Sequence, residues 1–283
     1  RCCRLPGYPG VRIQLFGWTI ALKSDQLTHD KSGKNRGDRV AWDLAHQEAL
    51  SIVAPRSEIR KIKLEATQRL LGDTIALSER AWQEPCRLPG WTRAHVATHL
   101  ARSADAFVRS IDSVLTGRRA PMYDSDEDRD LALERGSERS GLDLQIDLDT
   151  SAGNLSERFD MLDSVPGRLT IEFSPGCFLR SDLLPLARLY EVVIHHVDLD
   201  CGFDVTQINP VTARWLLEWT VLSYQAPYGM AVRLVSDSGF TAVIGASNSE
   251  TVITGPDAVL LGWLTGRLNA AEALDLPAQP QLA

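Results

Sequence analysis

Glu191 and His195, four residues apart in the stretch Tyr190–Leu199 (YEVVIHHVDL), are the side chains of this sequence best spaced for chemistry. At about 100° per residue, Leu186, Leu189, Val193 and Val197 share one helical face. Glu191 and His195 stack on nearly the opposite face, with Arg188 and Asp198 beside them. Inside a helical bundle, a carboxylate and an imidazole one turn apart supply two of the three protein ligands of a catalytic zinc. On a solvated face the same pair is only a polar stripe. Leu184 and Ala187 flank the second face, so the helix is apolar nearly all round and is expected to be buried on several sides.

A third ligand comes from upstream. In Leu88–Arg102 (LPGWTRAHVATHLAR), Thr92 reads as an N-cap and Gly117 as the stop of the helix it opens. Val96, Leu100, Phe107, Ile111 and Val114 mark the buried stripe. His99 lies roughly 85° from the centre of that stripe and His95 roughly 125° away. His99 is therefore the histidine expected to reach the bundle interior, and His95 is expected outside it. His99, Glu191 and His195 then form a His₂Glu set with an open fourth position, the arrangement of a catalytic metal.

The rest of the chain has to hold these two helices together. Ile59, Ile62, Ala66, Leu70, Ile75, Leu77 and Ala81 recur at helical spacing and predict one long helix from Ser57 to Trp82. The helix with His99 spans Thr92–Leu115. A charged connection, Arg118 to Asp128, follows, long enough to suggest function. Weaker helical patterns cover Asp128–Gly136 and Asn154–Val165, Leu169–Phe173 reads as a strand, and the metal helix runs from Leu183 to Leu199. Beyond Gly202 the pattern becomes a helix (Val211–Tyr224) and three strands (Ala231–Ser236, Phe240–Gly245, Glu250–Thr254). A closing helix begins at Pro256 and ends near Gly266. Residues 1–55 have no such period and are expected to be a disordered extension that adds nothing to the core. The bundle is assigned to 56–204, the α+β domain to 205–275 and a tail to 276–283.

Composition limits the function. The 283 residues carry a net charge of −7, and no basic stripe is present, which excludes general nucleic-acid binding. No apolar run reaches transmembrane length. Ile13–Leu22 follows basic residues like a signal core, but it lacks a small-residue cleavage site and Lys23 follows at once. The chain has no methionine before Met122, so its first residue is expected to lie upstream of the true start or to begin a fragment. Cys2, Cys3, Cys86, Cys177 and Cys201 form no spaced framework, and a reducing cytoplasm is the expected setting. With no HExxH motif, the common zinc-protease pattern is missing.

Two segments, Leu88–Phe107 (LPGWTRAHVATHLARSADAF) and Arg188–Gly202 (RLYEVVIHHVDLDCG), resemble the mycothiol-dependent maleylpyruvate isomerase family. That family belongs to the DinB-like group of thiol-using, metal-binding four-helix bundles. The C-terminal segment with Gly255-Pro256 and Leu261–Arg267 is similar to the family's second domain. The resemblance implies a mainly α fold, a DinB-like four-helix bundle followed by a small α+β domain. It makes His99, Glu191 and His195 the ligands of zinc or another divalent metal, and Arg129 the catalytic arginine. It implies mycothiol as the thiol cofactor and a small-molecule substrate. The expected reaction converts maleylpyruvate to fumarylpyruvate in aromatic catabolism, in a monomer with no nucleic-acid or membrane partner. A mycothiol S-transferase that conjugates electrophiles is the enzymatic alternative. A metal-stabilised, non-enzymatic binding module is the other.

Overall fold

In the computed structural model, the described residues are 47–48, 50, 55–118, 125–165, 169–174, 177–223, 231–245 and 250–268. Most of the expected extension, the whole tail, the Ile13–Leu22 run, the Cys2–Cys3 pair and residues 119–124 of the charged connection lie outside them. The chain divides into two compact units after Gly202.

The first unit is helical. It comprises α1 (Arg56–Thr74), α2 (Glu79–Trp82), α3 (Arg93–Thr116), α4 (Asp126–Ser137), α5 (Gly141–Asp163), the hairpin β1 (Thr170–Ser174) and β2 (Cys177–Arg180), and α6 (Leu184–Asp198). Four helices close a ring in which α1 packs on α6, α6 on α3, α3 on α5 and α5 on α1. Ion pairs between helices give their directions. Arg102 meets Asp147 and Arg158 meets Asp112, so α3 and α5 run parallel. Arg56 meets Asp163 while Gln145 reaches the carbonyl of Leu71, so α1 and α5 are antiparallel. His99 meets Glu191 and Ser103 meets Arg188, which makes α3 and α6 antiparallel as well.

Parallel neighbours that follow one another in the chain need a return path, and α4 supplies it. It packs back along α3 until Gly136 lies against Thr98, where an added Cβ would stand 2.2 Å from the threonine methyl. Only glycine permits that approach. Gly117, at φ 67°, ends α3 in the left-handed conformation that the sequence signalled.

Three elements depart from the sequence reading. The long first helix breaks after Thr74, and Ser78 caps a separate turn by accepting from the N–H of Ala81. Its inward residues are Ile59, Lys63, Thr67, Leu70 and Thr74, while Ile75 is exposed. Helix α5 begins at Gly141, well before Asn154, and β2 pairs antiparallel with β1 where no second strand was expected. Gln47, inside the segment expected to stand apart, is buried. Its amide donates to Phe178 O at 2.6 Å and accepts from Arg180 N–H at 2.8 Å, filling the open edge of β2.

The second unit has α7 (Pro210–Ser223), β3 (Ala231–Ser236), β4 (Thr241–Gly245), β5 (Thr251–Gly255) and α8 (Asp257–Thr265). Its sheet has the order β4-β3-β5, antiparallel then parallel, and α8 packs on α7 and on the sheet. The architecture is thus a mainly α bundle followed by a small α+β unit. Among the described residues, no helix is long and apolar enough to cross a membrane.

Candidate metal centre

Every residue of α6 is buried, as its all-round apolar pattern requires. Its two polar residues of interest therefore point into protein. Glu191 and His195 meet His99 of α3, and the ligand atoms of the three lie within 4.8 Å of one another. His99 Nε2 is 3.1 Å from Glu191 Oε2, and His195 Nε2 is 3.6 Å from the same oxygen. A zinc ion with bonds of about 2.0–2.2 Å needs ligand atoms about 3.3–3.6 Å apart, so little rearrangement is required. The two imidazoles stand edge to face at 4.6 Å, and the Trp91 ring lies 5.9 Å from His99.

The donor set suits a divalent ion in charge and in hydrogen bonding. Burial, reinforced by the neighbouring His195, lowers the pKa of His99, which keeps its ring neutral. Burial alone would raise the carboxyl of Glu191. The His99 hydrogen bond and the electrostatic pull of its neighbours, Arg188 included, outweigh it, and the pKa falls below the usual range. Neutral imidazole and ionised carboxylate are the states a metal requires. Glu191 Oε1 is buried without a hydrogen-bond partner, an expense that a cation in the site would offset.

A second layer orients the ligands. His195 Nδ1 is 2.9 Å from the buried carboxylate of Asp198. An ionised carboxylate only accepts, so Nδ1 carries the proton and the lone pair of Nε2 faces Glu191. Arg188, one turn before Glu191, is buried and donates from Nη1 to Ser103 Oγ at 3.1 Å.

The other sequence candidates fall elsewhere. His95 caps the start of α3, its Nδ1 accepting from the Thr92 N–H at 3.2 Å. His196 points to the neighbouring helix α1, where its Nε2 lies 3.1 Å from Asp73. Arg129 lies in the early part of α4, and its Nε and Nη2 donate to Asp130 at 3.0 and 2.9 Å. Burial drives the Cys86 thiol up to about 11 and raises that of Cys201, so both are poor nucleophiles at neutral pH.

Residues 64–200, which include all three clustered ligands, match the family model described as the mycothiol maleylpyruvate isomerase N-terminal domain. The matched residues make up most of the helical unit. The isomerase-family fold is also seen in two solved structures, the mycothiol-dependent maleylpyruvate isomerase and a histidine-to-alanine mutant of it. Each is 22% identical, with a TM-score of 0.71, covering 81% of this chain and 98% of the other. No curated protein matches the chain. The two segments that carry the sequence resemblance are the ones that meet at the His₂Glu cluster.

Proposed function

We propose that the chain is a metal- and mycothiol-dependent cis-trans isomerase that converts maleylpyruvate to fumarylpyruvate. The observation that carries this reading is the buried convergence of His99, Glu191 and His195 within an isomerase-family domain. These three would hold zinc or another divalent ion. When bound, such an ion lowers the pKa of a coordinating thiol enough to make thiolate available at neutral pH.

Among the described residues, the half-buried thiols of Cys86 and Cys201 are hard to ionise, which favours an external thiol in the role. Mycothiol would supply a thiolate able to add reversibly to the cis double bond, so that the carbon–carbon link could rotate before elimination returned the free thiol. The protein's residues orient and stabilise. Asp198 holds the His195 ring, and Arg129 clamps a substrate carboxylate as the enolate charge develops, with Asp130 fixing the plane of its guanidinium.

The test is turnover of maleylpyruvate with and without mycothiol, by wild type and by Arg129→Ala. We expect activity only with mycothiol, and a loss in Arg129→Ala of about a hundredfold or more, or about 3 kcal/mol of transition-state stabilisation. Zinc content should be unchanged. Turnover near that of wild type would remove Arg129 from the mechanism. A protein that does not isomerise but conjugates mycothiol to other electrophiles would be the S-transferase instead.

A further inference from the structure

Lys63 occupies the middle of the inward stripe of α1 and is only 4% exposed. The threonines of that stripe are satisfied within the helix, Thr67 donating to Lys63 O and Thr74 to Leu70 O. The Lys63 ammonium has neither a hydrogen bond nor an ion pair among the described residues. Its neighbour is the ring of Phe159, 5.5 Å away at the centroid. A cation–π contact contributes about 2 kcal/mol, less than the several that burying an ammonium costs. An anion beside Lys63 would make up the difference.

A second buried cation is close by. Helix α1 packs on α6, and Arg188 of α6 lies one turn below Glu191, bonded to Ser103, itself one turn past His99. Lys63 and Arg188 are thus two buried cations on packed helices, close enough for Arg188 to act electrostatically on Lys63. Among the described residues of the helical unit, the buried lysine, arginine and carboxylates are Lys63, Arg188, Glu191 and Asp198. Two cations balance two carboxylates, so a divalent ion would leave the interior with two positive charges in excess. A thiolate and one substrate carboxylate would supply the two negative charges that restore neutrality.

We propose that Lys63 and Arg188 form the carboxylate-receiving side of the site and select a small dicarboxylate, with Arg129 left to a different end of the molecule. This deepens the isomerase reading and rests on it for the metal. Burial first, then the charges of Arg188 and Arg60, bring Lys63 down to about 8, against the opposing pull of Asp160. The charged groups facing it are therefore Arg60 on its own helix, Asp160 on α5 and Arg188 on α6. Lys63 is cationic at neutral pH and loses its proton just above it.

The experiment is calorimetric titration of maleate into the zinc-loaded full chain, for wild type, Lys63→Met and Lys63→Arg, with zinc content and melting temperature recorded. Wild type should bind maleate, and affinity should fall as pH rises through about 8. Lys63→Met should bind at least tenfold more weakly with zinc retained, and melt higher because an unpaired buried charge is gone. Lys63→Arg should keep most of the affinity and lose the pH dependence. Absence of maleate binding by wild type, or affinity of Lys63→Met within twofold of it, overturns the proposal. Lys63-dependent binding in a protein that does not isomerise maleylpyruvate would sink the isomerase reading and leave this subsite standing. Isomerisation by Lys63→Met with wild-type KM would do the reverse.

Discussion

Glu191 and Asp257 are both carboxylates buried at helices, one in each unit, and their surroundings could hardly differ more. Asp257 opens α8 and accepts hydrogen bonds from Ser236 Oγ at 2.6 Å and Ser238 Oγ at 3.0 Å. The helix N-terminus adds its positive potential to these donors. Glu191 sits mid-helix, without that help, and one of its oxygens has no partner. The α+β unit has used its buried carboxylate to finish a turn. The helical unit has left its own incomplete, and incompleteness in a buried charge indicates a ligand more strongly than burial does.

Exchanging each carboxylate for its amide would break this contrast most directly. Glu191→Gln should lose about a hundredfold or more in zinc affinity, since one of three ligands is gone. Its metal-free melting temperature should hold or rise. Asp257→Asn should bind zinc like wild type and lose about 1–3 kcal/mol of unfolding free energy. Zinc retention by Glu191→Gln in a chelator competition would show that the open oxygen is not reserved for a metal.

A smaller effect would sharpen the comparison at the next layer. Asp198→Ala frees His195 Nδ1 and should weaken zinc about 10–100-fold without abolishing it. The same chelator competition would measure this, and an unchanged affinity would make Asp198 a packing residue only.

A separate effect concerns pH. Burial lowers His196 from 6.5 to about 4 despite the nearby Asp73. The unfolded chain takes up a proton there below pH 6.5 and the folded chain does not. Stability is therefore full above 6.5 and declines as pH falls toward about 4, by up to about 1.4 kcal/mol per unit. Urea unfolding of metal-free protein should show that slope, and His196→Asn should flatten it. An identical slope in the variant would assign the decline to other groups.

Helices α3 and α6 were legible because their signals agree. Thr92 and Gly117 bracket α3, and an unbroken apolar pattern encloses Glu191 and His195. From these the three residues that cluster could be named before their distances were known. Helix α1 misled because periodicity assigns apolar residues to the interior. Periodicity places Ile62 and Ala66 inward, whereas Lys63 and Thr67 are the buried residues. A lysine in a core is invisible to a rule built on hydrophobic burial. In α5, Leu144 and Leu148 carry the helical period, but Asp147, Asp149, Thr150, Ser151 and Gly153 are weak helix formers and hid the first half. Gln47 had no signal of its own, since its role depends on the edge of a strand more than a hundred residues away.

The parallel pairing of α3 with α5 has a consequence for how the chain acquires its site. His99 and Glu191 are separated by 92 residues, and the detour through α4 and α5 lies between them. Contacts of such separation form late, because loop closure must precede their gain. On a ribosome, at about 5–20 residues per second, His99 would wait several seconds or more for its partners to emerge. No short fragment holds all three ligands. Zinc capture by a refolding chain would therefore time the docking of α6 against α3, turning the site into a clock for the final step of bundle assembly.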